Sequence, residues 1–432
     1  MPREITVEIP TLHVDQIKAY DVCRENRFFA LRCGRRYGKT AFLSAIASSD
    51  AVKGKRVAYM APDYKRLTET YNEIERILSP IKKSSSQTQG TIRTVNDGVV
   101  EFWTLGDESA GRSRKYHTVL IDEAAFTKSP AMFDIWRKSI KPTLLDYRGR
   151  CIVASNTSGT DQDNFFWKIT NEPEHGFVEY WAPSINNPYL PAEDIETLRK
   201  TEHPDIFAQE YEAVWVDWSG KAPFPLESLL VDGKPVQFPE RCDCVLAVID
   251  SAVKTGSAND ATGVLYVAVN SHGVSDAPKL TFLDWDIKQI EGSLLEVWMP
   301  EVFRRLEELS RECKARMGSV GAYIEDAVSG TILLQQCRRH GWPAHGIKTE
   351  LTAKGKDGRA LNAVGYVHRG WIKLSQHAFD KNVAYKGAIR NHLISQVCSF
   401  RFGDKDAATR ADDLLDCATY SVSIALGDQK GF

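Results

Sequence analysis

Apolar runs and helically spaced apolar positions alternate along most of the chain. Residues 28–31 (Phe-Phe-Ala-Leu) read as a short buried strand, and Ala41-Phe42-Leu43 opens a helix after a polar turn. Residues 55–62 give a second strand. A helix follows, with Leu67, Tyr71, Ile74, Ile77 and Leu78 near 3.6 spacing. Residues 91–95 and 99–103 flank Asn96-Asp97-Gly98, a hairpin signal. Residues 116–121 and 149–154 end in the apolar runs Val119-Leu120-Ile121 and Cys151-Ile152-Val153-Ala154, as strands buried on both faces of a parallel sheet do.

A stretch rich in Gly, Pro and aromatic residues, 215–225, interrupts this pattern and suggests a packed hinge. Three strands follow, at 244–249, 262–269 and 280–285, spaced as an antiparallel meander. A helix is expected next, with Leu294, Leu295, Val297, Trp298, Val302, Phe303 and Leu306 on its apolar face. Residues 321–326 read as another short strand, 348–359 as a flexible basic loop, and Asp412-Asp413-Leu414-Leu415-Asp416 as the start of an apolar helix. The pattern predicts an α/β protein with residues 1–217 as one domain, 218–240 as a linker and 241–432 as a second domain.

Composition narrows the picture. A length of 432 residues allows two or three domains with cores of their own, and a net charge of −2 gives no global footprint for nucleic acid, so any such contact must use local basic groups. The nine cysteines are scattered. Cys242-x-Cys244 has no His-rich partner nearby, which argues against zinc, and an odd count argues against a disulfide framework. The beginning of the chain has no apolar leader, and no apolar run approaches a membrane span. The expectation is a soluble intracellular protein with reduced thiols.

Candidate chemistry begins at Cys33-Gly34-Arg35-Arg36-Tyr37-Gly38-Lys39-Thr40. Strand, Gly-containing turn and helix start together build a phosphate cradle. Backbone N–H groups face the anion, Lys39 adds a point charge, and Thr40 offers a hydroxyl to Mg²⁺. The pattern is imperfect, because Cys33 stands at its first glycine position and Gly34 follows one residue late. Asp122-Glu123 end the apolar strand at 116–121. In phosphate-loop ATPases the first such acid holds Mg²⁺ and the second activates the attacking water, so the pair implies nucleotide hydrolysis; helix capping is the plain alternative. Ser155-Asn156-Thr157-Ser158-Gly159, after a neighbouring strand, can sense a γ-phosphate or be an ordinary loop. Gln16 can read an adenine edge, as a Gln upstream of the loop does in several nucleic-acid motors, or be an exposed helix-start residue. Arg112, in the basic run 111–115, can reach a neighbouring subunit's transition state, contact DNA, or be solvated.

The second half carries acids at strand ends and at a late helix start: Asp250, Glu325 with Asp326, and Asp412, Asp413 and Asp416, besides Asp260 in a loop. Clustered carboxylates are costly unless a cation neutralises them, and hard oxygen donors favour Mg²⁺ or Mn²⁺. Two such ions about 4 Å apart can clamp a phosphodiester.

Taken together these motifs resemble the large subunit of tailed-bacteriophage terminases. The carrying stretches are residues 34–40, 119–125 and 155–159 in the first half, and Ile249-Asp250, Ile324-Glu325-Asp326 and residues 412–416 in the second. Asn187-Pro188 and Phe207-x-Gln-Glu-Tyr211 are similar to the family's segment between its halves. The resemblance implies an N-terminal RecA-like P-loop ATPase with a mostly parallel sheet, joined to a C-terminal RNase H-like nuclease with a mixed sheet. It implies a grip on ATP by Gly34, Arg35, Arg36, Tyr37, Gly38, Lys39 and Thr40, with Gln16 and Asn156 nearby, and Mg²⁺ held by Thr40 and Asp122. Glu123 would be the catalytic base and Arg112 the trans-acting arginine, with Arg114 as its alternate. Asp250, Glu325 and Asp413 would hold the nuclease ions, with Asp260, Asp326, Asp412 and Asp416 as further candidates. The implied partners are double-stranded DNA, the procapsid portal, a small terminase subunit and further copies in a ring, in the cytoplasm of an infected bacterium. A repair helicase-nuclease would need a second helicase domain, for which the sequence has no room. A scaffold with a merely structural nucleotide site would not need Glu123.

Overall fold

The computed structural model describes residues 5–107, 109–127, 131–159, 161–251, 262–273, 275–288, 295–325, 328–353, 355–403 and 412–427. Asp260, Asp326 and Leu294 lie outside these. The chain divides into two compact units, residues 1–217 and 218–432.

The first unit is built on eight strands: β1 (Phe28–Cys33), β2 (Arg56–Ala61), β3 (Lys82–Ser86), β4 (Thr91–Thr94), β5 (Val99–Thr104), β6 (Thr118–Asp122), β7 (Arg150–Ser155) and β8 (Val178–Ala182). They lie in the order β3-β4-β5-β2-β6-β7-β1-β8, parallel from β5 to β8, with β3 and β4 added antiparallel. One core packs on each face of the sheet, which is why β6 is buried at every position, β2 at all but its first and β1 at four of six. The order places β7 between the phosphate-loop strand and the acid strand. Because these strands are parallel, their C-terminal ends share one edge. Arg32 pairs in register with Ser155, and Asp122 with Ala154. That edge is where an open α/β sheet carries ligands.

The second unit has β9 (Cys244–Ser251), β10 (Thr262–Val269), β11 (Leu280–Lys288), β12 (Ser319–Glu325), β13 (Ala344–Ile347) and β14 (Ile372–Leu374), in the order β13-β12-β9-β10-β11-β14. The first three strands form the expected antiparallel meander, while β12 runs parallel to β9 and β13 parallel to β12. This is the strand arrangement of an RNase H-like fold. A small hairpin, β15 (Val383–Tyr385) and β16 (Ala388–Arg390), stands apart from the sheet. The helix Leu295–Glu312 packs on β9 and β12, and the helix Asp413–Leu426 on β9, β10 and β11. The parallel pairing of β9 with β12 brings the ends of both strands, and so Asp250 and Glu325, to one edge.

Two sequence expectations change here. Val297 is 75% exposed, so it lies off the apolar face of its helix. The stretch expected as a flexible basic loop is largely helical, as Thr349–Thr352 and Gly355–His368. Ala360, Ala363, Val364 and Val367 are buried along one face of the second helix, and this apolar stripe holds it on the unit. All nine cysteines are free, and all but Cys398 are buried. Among the described residues no helix is long and apolar enough to cross a membrane.

Candidate nucleotide site and acidic cluster

The phosphate loop leaves β1 at Cys33 and re-enters regular structure at the helix Lys39–Val52. Gly38 caps that helix at φ 98°, a left-handed conformation in which a side chain would be strained. Gly34 is required for a different reason: a Cβ there would lie 2.2 Å from the Tyr211 carbonyl oxygen and 2.3 Å from Ser184 Oγ. The loop is therefore closed over by two later segments. The Arg35 N–H donates to Glu210 O at 2.7 Å, Ser184 Oγ donates to Arg35 O at 2.6 Å, and Asn187 Nδ2 donates to Arg36 O at 2.7 Å. Arg35 also pairs with the Glu210 carboxylate, to which Asn156 Nδ2 donates at 3.2 Å. Glu210 thus ties the loop to the strand-end segment after β7.

On its other side the loop rests on the helix Val14–Glu25. Gln16 Nε2 donates to Gly38 O at 3.0 Å, and the residue is buried, not exposed. Tyr37 turns its ring into the core, where its hydroxyl donates to Asp15 at 3.0 Å. Burial, then the Asp15 charge, push that phenol far above its ordinary range. Tyr37 is therefore a strut beneath the loop, and only its backbone is left to face an anion. Cys33 is fully buried and its thiol is pushed up to about 12, chiefly by burial, so it is inert packing.

Across the edge, Lys39 Nζ lies 3.0 Å from Glu123 Oε1. Thr40 Oγ1 and the Tyr59 hydroxyl donate to Asp122 Oδ2, at 3.1 and 2.8 Å. The other oxygens of the two acids, Asp122 Oδ1 and Glu123 Oε2, are buried without a hydrogen-bond partner among the described residues. Burial first, then the charge of Glu123, raise the Asp122 carboxyl above its ordinary value. A buried aspartate and a half-buried glutamate, each with an orphaned oxygen, beside a threonine hydroxyl fit a hard divalent cation, which would supply the missing partner. Glu123 adopts φ 55°, left-handed for a residue that is not glycine. Ser155 Oγ accepts from the Ala125 N–H at 3.1 Å and so fixes the turn just after the acids. Lys39, Thr40, Asp122 and Glu123 are brought together. Arg112 is exposed in a turn, its N–H on Ser109 O, while Arg114 lies 3.6 Å from Glu101.

In the second unit, Asp250 ends β9 opposite Gly263 of β10. A Cβ on Gly263 would come within 3.0 Å of Asp413 Cβ. The missing side chain lets the helix Asp413–Leu426 lay its first turn directly over the strand that pairs with Asp250. Asp250 is held well above the ordinary carboxyl range by burial, then by the charges of Asp416, Glu325 and Asp413. Asp416 pairs with the buried Arg359, and Asp412 with Lys356. These all-oxygen donors fit Mg²⁺ or Mn²⁺ in chemistry. Among the described residues, the one set of three acid or histidine groups with ligand atoms within 4.8 Å of one another is Glu172, Glu174 and His175. That set is a surface turn with its own partners: His175 lies 2.7 Å from Glu172, and its ring meets Phe133 edge-on.

Sequence reasoning missed Tyr59, the supports Asp15, Ser184 and Glu210, and Gly263 and Arg359. Glu210 and Asn187 sit in stretches noted only for their place between the halves. Gly263 had a signal, since a glycine within an otherwise apolar strand marks a close approach.

No family model matches the chain. The terminase large subunit of Escherichia phage T5 is 24% identical over 204 residues, so the chain spans 45% of the length of that curated relative. The solved large terminase of a thermophilic bacteriophage matches with a TM-score of 0.66 over 96% of this chain and 99% of its own, at 12% identity. The complex of that protein with ADP matches equally well, and its complex with ATP-gamma-S has a TM-score of 0.64. The chain is thus similar to the large subunit of phage terminases, in sequence over part of its length and in fold over nearly all of it.

Proposed function

We propose that this chain is an ATP-driven motor that moves double-stranded viral DNA into a procapsid and cuts the concatemer with a metal-dependent nuclease. The observation that carries this reading is the meeting of Lys39, Thr40, Asp122 and Glu123 on one sheet edge, in a chain whose second unit sets Asp250 within the field of Glu325 and Asp413. The complexes of the thermophilic phage's terminase with ADP and ATP-gamma-S support a nucleotide in the first site.

In the ATPase, the β- and γ-phosphates draw Lys39 away from Glu123, and the N–H groups of Gly34 to Thr40 line the anion. Thr40 and Asp122 hold Mg²⁺, which neutralises charge on the phosphates. Glu123, released from Lys39, orients water and takes its proton as the new O–P bond forms and the γ-phosphoanhydride breaks. Gln16 and Asn156 border the nucleotide. Arg112, exposed where Arg114 is paired, is the better placed arginine to serve a neighbouring copy in a ring. In the nuclease, Asp250, Glu325 and Asp413 hold Mg²⁺ or Mn²⁺. Two ions are the usual form of such chemistry. The portal, a small terminase subunit and the cytoplasm of an infected bacterium complete the reading.

The test is direct. Purified protein should hydrolyse ATP faster with DNA present, and Glu123→Gln should lower that rate roughly 10²–10⁴-fold. Mn²⁺-dependent DNA cleavage should vanish in Asp250→Ala and persist in Glu123→Gln. Absence of both activities in the wild-type chain overturns the proposal.

A further inference from the structure

The ring of His13 joins the helix Val14–Glu25 to the phosphate loop. His13 caps that helix and is 6% exposed. The Gln16 N–H donates to its Nδ1 at 3.2 Å, and its Nε2 lies 3.0 Å from the Tyr37 carbonyl oxygen. A backbone N–H can only donate, and a carbonyl can only accept. The ring is therefore neutral, bare at Nδ1 and protonated at Nε2. The capping box selects this tautomer, because Nδ1 must stay bare to take the Gln16 N–H, and the proton is left on the nitrogen that faces the loop.

The carbonyl it meets stands one peptide before the next helix. Gly38 O opens that helix's ladder, taking the Phe42 N–H at 3.0 Å, and also accepts from Gln16 Nε2 at 3.0 Å. The helix itself holds the Gly38 carbonyl, whereas the Tyr37 carbonyl takes its bond from His13. A trans peptide carries its C=O and N–H on opposite sides. Turning the Tyr37 carbonyl toward His13 therefore aims the Gly38 N–H away from the helix Val14–Glu25, toward the space where the loop lines an anion. Arg36 and Gly38, on either side of Tyr37, are both left-handed, at φ 64° and 98°. Backbone of that kind keeps its shape only where its surroundings hold it. Gly38 has no β-carbon to resist a flip of this peptide, and the flipped form would offer the phosphates an oxygen in place of an N–H. From this geometry we infer that His13 is a positioning residue for the nucleotide: its Nε2–H locks the Tyr37–Gly38 peptide with the N–H toward the phosphates. The inference rests on the nucleotide reading above and adds to it a residue outside the loop.

Two variants separate the work of the two ring nitrogens. In His13→Asn the amide oxygen replaces Nδ1 as the cap, and the shorter side chain leaves Tyr37 O without its donor. In His13→Gln the longer amide sets an N–H in the place of Nε2, and the cap is lost. The experiment is calorimetric titration of the full chain with ADP and Mg²⁺, beside denaturant unfolding. His13→Asn should unfold as the wild-type chain does and bind ADP about tenfold more weakly, as loss of one bond to a charged group implies. His13→Gln should bind ADP near the wild-type value and unfold at lower denaturant. Unchanged affinity in His13→Asn, or an equal loss in both variants, overturns the inference and leaves the nucleotide reading standing. If His13→Asn does not fold, the affinity of His13→Gln decides. A wild-type chain that binds no ADP removes the nucleotide reading and this inference with it.

Discussion

The two candidate sites sit on similar sheet edges and are held together in opposite ways. At the phosphate loop the backbone does the organising. Carbonyls and N–H groups of residues 34–38 are pinned by Gln16, Ser184, Asn187 and Glu210, and Lys39 already answers Glu123. In the second unit side chains do it, and a half-buried Asp250 feels the charges of Asp416, Glu325 and Asp413. The first site is preorganised and nearly neutral. The second carries repulsion among its carboxylates. Errors of shape should therefore harm the first most, and changes of charge the second.

The largest effect expected is steric. Gly34→Ala should destabilise the first unit by about 3 kcal/mol, and Gly263→Ala the second by about 1 kcal/mol. The Cβ at 34 meets backbone at 2.2 Å, whereas that at 263 meets nothing nearer than 3.0 Å. Denaturant unfolding resolved by hydrogen exchange in each unit measures both, and equal costs would break the contrast.

A smaller, opposite effect is expected from charge. With a chelator present, Asp250→Asn should raise the melting point of the second unit by about 2–4 °C, the equivalent of roughly 1 kcal/mol. Asp122→Asn should change the first unit less, because an amide oxygen still accepts from Thr40 and Tyr59. A melting point lowered by Asp250→Asn would show that the acids do not strain the fold.

Asp50 supplies the control and the smallest signal. It is buried like Asp122, but Arg150, Lys55 and Thr118 all bond it, at 3.0, 3.0 and 2.6 Å. Burial alone would raise its pKa, and the Arg150 charge with these bonds outweighs burial and lowers it. A depressed folded value means stability that is present above the unfolded value near 4 and is lost as pH falls through the folded one. The first unit should weaken with acid in that window by at most about 1.4 kcal/mol per pH unit from this group. Asp50→Asn should flatten that limb in an acid titration of stability.

Much of this was legible in the sequence. Strands of unbroken apolar residues ending in Asp122 and Asp250 signal parallel or central strands that deliver acids to an edge, and both signals were local. The clasp on the loop was not legible, because Ser184 and Glu210 are distant in sequence and gain meaning only when β8 pairs with β1. The helix Gly355–His368 was hidden by its glycines and lysine, although Ala360, Ala363, Val364 and Val367 carry helical spacing in small side chains. With that helix unread, Arg359 looked like one more charge in a basic loop. Nothing in the spacing of acids could show that Asp412 and Asp416 meet Lys356 and Arg359.

The backbone of Glu123 has a consequence for anyone reshaping this protein. A left-handed φ of 55° costs a residue with a β-carbon about 1–2 kcal/mol that glycine does not incur. A search for sturdier variants that scores folding alone will therefore favour glycine at 123, and will discard the one carboxylate that Lys39 holds in reserve. On the proposed reading, robustness and turnover draw the sequence in different directions at this position.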